Sequence, residues 1–531
     1  MKKNQSSLLK IVISLFAGSL LFILANPNLL FPKGLSFFAW ICFVPLFYVI
    51  RNSSLKNALF FGFLYGLVSY AGLVYWLYNF SIGIFFLGVL FCAICYAVLF
   101  EILKLSDFLF DKINLQNFSW ILQCFILVSF EFLKTKGFFG FSYGIIGYTQ
   151  WENINLIQIA DLGGVFAVSA ILIFTSGVLY NLVFEYKRNR KKIIAPIILG
   201  IIFVLCIING RKAKYSYNNY NKIKIAGIQH NENSKEDGLE TYIENTKTLI
   251  SLTNEAVFEN PDIEIVVWPE TAIVPSILYQ YYNGTDSARK KYVSELLEYF
   301  NNSSPSFLVG NFHHEINNGK AVDYNSAMFF TRGKNVIPPN PEKYYKIHLV
   351  PISEDFPFLD KFPHLEEKLN SLGFSFWEKG DDYKVFEKDG FYFSSPICFE
   401  NTFSDITRKM YQNGSRCFIS LTNDSWAKSK AAQYQHLSMA VFRSVENKVP
   451  GVISATSGMT CGIMPSGEVI ESAEPFTKSY SVVDVPVLSK DRKSTFYSEY
   501  GDVFAWVSVI ISFALLIIVL IKCIIQVCQN R

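Results

Sequence analysis

The sequence predicts a polytopic α-helical membrane bundle of eight spans joined to an α/β extracytoplasmic domain. Three observations carry that prediction. Apolar stretches recur at bilayer-crossing length, basic residues crowd alternate loops, and a polar middle alternates strand patterns with helical ones. Hydrophobic residues make up 51% of the 531, more than an ordinary soluble enzyme carries, while the middle of the chain is too charged to lie in lipid. A net charge of +4 implies no nucleic-acid partner, so the basic residues matter through their placement.

A helix needs about 20 mainly apolar residues to cross the hydrocarbon core. Eight stretches come near this, at roughly 8–25, 35–50, 57–77, 82–103, 118–133, 158–184, 193–209 and 503–527. The first, preceded by Met1-Lys2-Lys3, also has the outline of a cleaved signal peptide, but further spans follow directly and Ala25-Asn26-Pro27 is a poor cleavage site. With Lys2 and Lys3 cytoplasmic, alternate loops should be basic. Arg51 and Lys56 follow the second span, Lys104 and Lys112 the fourth, and Lys187, Arg188, Arg190, Lys191 and Lys192 the sixth. The opposite loops are poorer, with Lys33, Lys134 and Lys136. That parity gives a seven-span bundle over 1–209 and a domain over 210–502 outside the cytoplasm. A last span and short cytoplasmic tail fill 503–531.

Within 210–502, short runs rich in Ile, Val and Phe read as buried strands: Ile223–Gln229, Ile263–Trp268, Ser306–Gly310, Ser326–Thr331, Phe391–Ile397, Cys417–Leu421 and Val452–Ala455. Helical patterns fall at Leu239–Thr253, Ser287–Phe300 and Gln433–Asn447, and the alternation implies α/β architecture.

Seven of the ten cysteines lie in apolar segments, where cysteine behaves as a small hydrophobe. Cys398, Cys417 and Cys461 occupy the polar middle without a CxxC, so neither a disulfide framework nor a zinc site is expected. His313-His314 and His436 offer no metal spacing and read as surface and packing residues; no metal or cofactor is expected. Cys398 stands out because it ends the apolar run Phe391-Tyr392-Phe393-Ser394-Ser395-Pro396-Ile397, at a sheet edge where α/β sites gather. Upstream stand Glu270, after Val266-Val267-Trp268-Pro269, and Lys346, in Tyr344-Tyr345-Lys346-Ile347-His348-Leu349-Val350-Pro351. A thiol needs a base to become a nucleophile, and a tetrahedral intermediate needs a cation. Each residue alone also has a plain structural reading: packing for the cysteine, a helix cap for the glutamate, a surface ion pair for the lysine.

Together, Glu270, Lys346 and Cys398 resemble the Glu–Lys–Cys triad of the carbon–nitrogen hydrolase (nitrilase) superfamily, in the same order and at comparable spacing. The flanking spans narrow the resemblance to its membrane-embedded branch, the apolipoprotein N-acyltransferase family. Further matches are Lys346-Ile347-His348-Leu349-Val350-Pro351-Ile352-Ser353-Glu354, Pro396-Ile397-Cys398-Phe399-Glu400, Leu421-Thr422-Asn423-Asp424-Ser425-Trp426, Gln435-His436, and Gly140-Phe141-Ser142-Tyr143 through Gly147-Tyr148-Thr149-Gln150. The resemblance implies an α-β-β-α sandwich and ping-pong acyl transfer in a bacterial inner membrane. Cys398 would take an acyl chain from the sn-1 ester of a phospholipid, with phosphatidylethanolamine the expected donor. It would pass the chain to the N-terminal amine of a diacylglyceryl-cysteine apolipoprotein. Glu270 would be proton acceptor and donor, and Lys346 would stabilise the oxyanion. Glu354, Glu400 and Asn325 would support them, with Trp426, Phe399 and Trp268 as candidate substrate contacts. A monomer is expected. A membrane-anchored amidase or nitrilase that uses water as acceptor would need the same triad.

The chain departs from the family pattern at Phe399, where tyrosine is common, at Ala427, where a large aromatic is common, and through Glu446–Pro450 and Ser457–Thr460. Residues 355–378, with Phe356, Phe358, Phe362, Phe374, Phe376 and Trp377, read equally as a lid over the site and as a packed loop. Glu101, Glu131 and Asp161 lie in or near spans, close to their predicted ends.

Overall fold

Strand alternation sends successive side chains to opposite faces, and here it feeds two separate cores. In this computed structural model the described residues are those outside Met1, 233–236, 318, 530–531 and most positions within 185–218 and 357–375. The polar middle holds strands β1 (Lys222–Gln229), β2 (Ile265–Ile273), β3 (Ser306–Asn317), β4 (Lys320–Phe330), β5 (Glu342–Tyr345), β6 (Phe386–Lys388) and β7 (Phe391–Phe393). It continues with β8 (Phe418–Thr422), β9 (Gly451–Ala455), β10 (Cys461–Ile463), β11 (Val469–Ile470) and β12 (Ser479–Pro486). One sheet runs β12-β1-β2-β3-β4-β5, a second β11-β10-β9-β8, and β6 and β7 form a hairpin. The central pairs β1–β2, β2–β3 and β8–β9 are parallel.

Ile223 and Ile225, Ile265 and Val267, Leu308, and Ala327 and Phe329 face inward, against Ile419, Leu421 and Val452 of the second sheet. Their neighbours Ala226, Ile228, Val266, Trp268, Val309 and Met328 face an outer helical layer. The outer face of the second sheet packs on another helix and on the apolar bundle. The result is a helix–sheet–sheet–helix sandwich. All seven expected strand regions carry strand, although Phe391–Ile397 is strand only to Phe393 and continues as isolated bridges at Ser394 and Ile397. The short strands β5, β6, β10 and β11 and the edge strand β12 carry too little pattern to be legible in advance.

The N-terminal part contains α1 (Lys2–Ala25), α2 (Val44–Asn52), α3 (Leu55–Leu73), α4 (Ile82–Lys112), α5 (Ser119–Leu133) and α6 (Ala160–Phe184). The outer layer of the sandwich is α7 (Leu239–Glu259) and α8 (Ser287–Asn302); then come α9 (Ser404–Gln412), α10 (Lys430–Asn447), α11 (Phe496–Tyr500) and α12 (Val503–Gln529). Among the described residues five helices are long and apolar enough to cross a membrane: Leu8–Ala25, Ile82–Lys112, Gln116–Leu133, Ala160–Phe184 and Val503–Gln526. The expected span at 35–50 is instead a short turn of helix, Ser36–Trp40, followed by α2, which opens with Pro45 near its start. The stretch at 57–77 becomes α3, of 19 residues, which packs against α4 where Gly62 and Gly66 meet Ala97 and Ala93. The span expected at 193–209 lies largely outside the described residues.

Helix α10 joins the two parts. Its Ser429 cap accepts from Ala432 N, and nearly every side chain along it is buried. Gln435 bonds to Trp76, Pro27 and Leu73 of the bundle. Arg443 and Glu446, 1% and 0% exposed, form a 3.1 Å ion pair. Arg443 also donates to Tyr148 OH, and Glu446 accepts from Val165 N. That N–H is free because α6 kinks at Gly163–Gly164, where φ is +63° at Gly164 and Tyr497 packs against its Cα. Burial pushes the Glu446 carboxyl up to about 7, against the pull of Arg443. Asp161 pairs with Lys448 at 3.5 Å, and Glu131 accepts from Ile146 N, so both acids have structural partners.

A buried pair that loses one member leaves an uncompensated charge. Arg443→Leu should therefore lower the melting temperature of the detergent-solubilised protein by the equivalent of about 3–5 kcal/mol, whereas Arg443→Leu with Glu446→Leu should recover most of it. A single variant as stable as the double one would show that the pair does not hold the two parts together.

Candidate active site

Glu270 owes its position to an irregularity in β2. The strand pairs regularly with β3 through Trp268 and resumes in shifted register at Ile273. Bulges of this kind re-aim a side chain, and Thr271 sits within it at φ +52°. The facing residue on β3 is Gly310, where a Cβ would lie 2.1 Å from the Pro269 carbonyl oxygen and 2.7 Å from Glu270 Cα. The Glu270 carboxylate, 5% exposed, has all its partners fixed. Oε1 accepts from Asn325 Nδ2 at 2.7 Å and Lys346 Nζ at 3.2 Å, and Oε2 accepts from Asn423 N at 2.8 Å.

Lys346 follows β5 and is 1% exposed. Its ammonium donates to Glu354 Oε1 at 2.9 Å as well as to Glu270, while Glu354 Oε2 accepts from Val350 N. Burial pulls the ammonium's pKa down; Glu354 and Glu270 more than offset this and hold it well above the usual lysine range. Asn325 uses its side chain on Glu270 and its backbone carbonyl on Lys346 N, at 2.9 Å.

Cys398 opens a short 3-10 turn, Cys398–Thr402, with φ +50°. Fully buried Glu400 secures the turn: Oε2 accepts from Ile397 N at 2.7 Å, and Oε1 from Ile347 N at 2.7 Å and His348 N at 3.1 Å. Tyr344 OH donates to the same carboxylate at 2.8 Å. Glu400 thus touches none of the three side chains but ties the backbone after Lys346 to the backbone before Cys398. Burial, then the Glu270 carboxylate, push the Cys398 thiol well above its ordinary range, with Lys346 pulling the other way. The sulfur rests as a thiol and needs a base to react.

Glu270, Cys398, Glu354 and Asn325 line a cavity of about 610 Å³. Three non-glycine residues with left-handed backbone, Thr271, Ile352 and Cys398, all lie on its wall. Such conformations cost of order 1–3 kcal/mol each and persist only where the surroundings over-determine them. Trp426 lines the cavity too, its ring 5.5 Å from Trp76 and 5.1 Å from Phe80, and Phe399 lines it while packing on His348 and Phe403. Trp268 does not reach the cavity. Its place in β2 turns it to the outer helical layer, where its indole donates to Thr253 and its ring packs on Phe300. The candidate contact at Trp268 is therefore a core residue. Most of 355–378 lies outside the described residues; of its ends, Phe356 packs on Phe376, and Trp377 packs on Phe312 and lines the cavity.

His436, read from sequence as a packing residue, is in the cavity wall beside Asp424. Both His436 and Asp424 lie in motifs that match the family, which was the one signal available, but the 12 residues and the change of element between them hid their contact. The roles of Tyr344 and of the Asn423 N–H were not legible even though both stand in the quoted motifs, since one acts on a second carboxylate and the other through the backbone.

The close packing at Gly310 is a direct test of how far the site depends on the placement of Glu270. Gly310→Ala must displace the Glu270 backbone, and a displacement near 1 Å at a reacting group costs on the order of 100-fold in rate. The expected outcome is a folded protein with turnover lowered by about that factor; unchanged turnover would show that Glu270 is not positioned this way.

Comparisons with known proteins find matches to both parts of the chain. The family model described as apolipoprotein N-acyltransferase N-terminal domain matches residues 18–178, and the carbon-nitrogen hydrolase model matches 224–490. Apolipoprotein N-acyltransferase 1 of Treponema denticola is 38% identical over 508 residues, 92% of each chain. Its Treponema pallidum namesake is 35% identical over 487 residues, 88% of each chain. Apolipoprotein N-acyltransferase of Borreliella burgdorferi is 28% identical over 510 residues, 92% of each chain. With its apolar N-terminal helices and carbon–nitrogen hydrolase sandwich, the chain belongs to the apolipoprotein N-acyltransferase family.

Proposed function

We propose that this membrane protein transfers a fatty acyl chain from a phospholipid to the N-terminal amine of a diacylglyceryl-cysteine lipoprotein, through a thioester on Cys398. The observation that carries the reading is that one cavity joins reactive and apolar lining. Glu270 and Cys398 line it together with Phe80, Ile84, Leu87, Gly88 and Phe91 of the bundle. Leu87 and Phe91 are also 57% and 40% exposed on the bundle surface, where an acyl chain can pass sideways from a bilayer. Each methylene buried there contributes about 0.8 kcal/mol. The acceptor class comes from the relatives' names.

In the first half-reaction Glu270 takes the Cys398 proton and the thiolate attacks the sn-1 ester carbonyl of phosphatidylethanolamine. Lys346 stabilises the oxyanion. The ester C–O bond breaks, and Glu270 returns the proton to the leaving lysophospholipid oxygen. In the second, the lipoprotein amine attacks the thioester carbonyl, and Glu270 takes an amine proton and, as the C–S bond breaks, passes that proton to the departing sulfur to regenerate the Cys398 thiol. The thioester divides one difficult acyl transfer into two easier ones, and neither half needs a cofactor. Glu354 and Asn325 hold Lys346 and Glu270 in place, Glu400 holds the Cys398 turn, and Trp426 and Phe399 contact the chain.

The same reading divides the chain into a membrane-embedded bundle over 1–209, a periplasmic catalytic domain over 210–502 and a last span over 503–531, acting as a monomer in the inner membrane with both termini cytoplasmic. Support comes from two sets of ion pairs. Arg51 and Lys104, from two of the basic loops, meet at Asp107. Lys33 pairs with Glu152 and Lys136 with Asp502, in the opposite set of loops.

Incubation of the purified protein with phosphatidylethanolamine labelled at sn-1 should give a hydroxylamine-sensitive adduct on Cys398, absent from Cys398→Ala. Addition of a diacylglyceryl-cysteinyl peptide should then discharge the label onto its amine. Release as free fatty acid alone would instead mark an amidase-like enzyme with water as acceptor. Transfer by Cys398→Ala, or no adduct on the wild type, would overturn the mechanism. Filling the cavity from its apolar lining with Gly88→Trp should slow adduct formation about tenfold or more for a C16 donor and much less for a short-chain one, because a cavity contact of one to two methylenes already changes rates by this order.

A further inference from the structure

His436 takes no part in the proton transfers above, yet it holds the backbone of Cys398 itself. Its Nε2 lies 3.0 Å from the Cys398 carbonyl oxygen, and its Nδ1 lies 3.0 and 3.2 Å from the two carboxylate oxygens of Asp424. A carbonyl and a carboxylate can only accept, so both ring nitrogens donate and the ring is an imidazolium. A neutral tautomer satisfies one side and turns a lone pair on the other. Asp424 is itself secured, because Gln433 Nε2 donates to its backbone carbonyl at 3.0 Å.

The charged groups facing the ring are the carboxylates of Asp424 and Glu270, with the Cys398 thiol beyond its own carbonyl; Lys346 is engaged by Glu270 and Glu354. The two acids and the bond to the Cys398 carbonyl raise the His436 pKa against the opposing effect of burial, which is the largest single influence. Cys398 stands at φ +50°, a conformation that a non-glycine residue keeps only when its neighbours fix it. Glu400 fixes the Pro396–Ile397 peptide, one residue before Cys398, through Ile397 N, and His436 fixes the peptide after Cys398. The adjacent residue on α10, Gln435, is bonded to Trp76, Leu73 and Pro27, so two consecutive helical residues tie the bundle and the Cys398 turn to one rigid element.

We propose that His436, kept doubly protonated by Asp424, is a positioning residue that pins the strained Cys398 turn through its carbonyl oxygen. The proposal rests on Cys398 being the nucleophile. It does not rest on the identity of the acyl acceptor. Glutamine keeps a donor for the carbonyl and has no titratable ring, whereas leucine has neither.

The test uses the full-length protein in detergent and reads two quantities. One is the rate of Cys398 alkylation by iodoacetamide, followed on the Cys398 peptide by mass spectrometry. The other is the pH profile of adduct formation from labelled phosphatidylethanolamine. His436→Leu should slow both about 100-fold, and His436→Gln should restore them to within about tenfold of wild type. The sign of the pH effect follows from a raised histidine pKa. The imidazolium persists below it, and the hydrogen-bond arrangement is lost as pH rises through it, giving wild-type adduct formation a falling alkaline limb. His436→Gln should lack that limb. Asp424→Asn, which leaves the ring in place if the leucine variant fails to fold, should move the limb to lower pH. Wild-type rates in His436→Leu, or an unchanged limb in both His436→Gln and Asp424→Asn, would overturn the proposal. Alkylation that depends on His436 in a wild type that forms no acyl adduct would uphold it while removing the acyl-transfer reading.

Discussion

The buried ammonium of Lys346 is the interaction on which the rest of the site depends. Removing a cation from water costs several kcal/mol even after relaxation, and only close carboxylates repay it. Glu270 and Glu354 supply them at 3.2 and 2.9 Å. Each carboxylate then needs its remaining oxygen satisfied, which draws in the N–H groups of Asn423 and Val350. In this way one cation fixes the ends of β5 and β8 and the turn within β2. The cluster of one cation and two anions also leaves a buried thiol facing net negative charge, which adds to burial in raising the Cys398 pKa.

The second constraint is backbone strain. Thr271, Ile352 and Cys398 hold left-handed conformations around one cavity, each next to a residue or carbonyl of the site. Strain of this kind survives only in a rigid frame, and the frame here is the two-sheet core with Gly310 pressed against Pro269 and Glu270. Glu400 belongs to the frame although it touches no reacting group. By gathering Ile347, His348, Ile397 and Tyr344 on one carboxylate it sets the distance between two loops that share no strand pairing.

Helix α10 extends the frame into the bundle. Gln435 and His436 are consecutive, so helical geometry points them in different directions, one to Trp76 and the other to the Cys398 turn. Arg443 and Glu446, farther along, fasten the same helix to Tyr148 and to the kink in α6. The cavity wall is consequently shared between bundle side chains and sandwich side chains. Neither part alone encloses the space beside Cys398, which is the physical sense in which an apolar bundle and a polar sandwich make one site.

The sequence by itself determined the apolar helices and the α/β alternation of the middle, and it singled out Glu270, Lys346 and Cys398 as candidates for one site. Periodicity and hydropathy are local properties and mark the helices and longer strands; the three residues were legible through their order, spacing and flanking motifs, since β5 and β7 beside two of them are too short to show a pattern. It did not determine which face of β2 each side chain takes: Trp268 looked like a neighbour of Glu270, and the bulge between them sends the two to opposite sides. Nor could it set the boundaries at 35–50 and 57–77, where apolarity is evident but helix length depends on Pro45 and on packing against α4. His436 and Asp424 stood in motifs the sequence singled out, but what they do was decided by tertiary structure alone. Their role is a hydrogen bond to a carbonyl brought near by the fold, and a contact between distant elements leaves no trace in the spacing of residues along the chain.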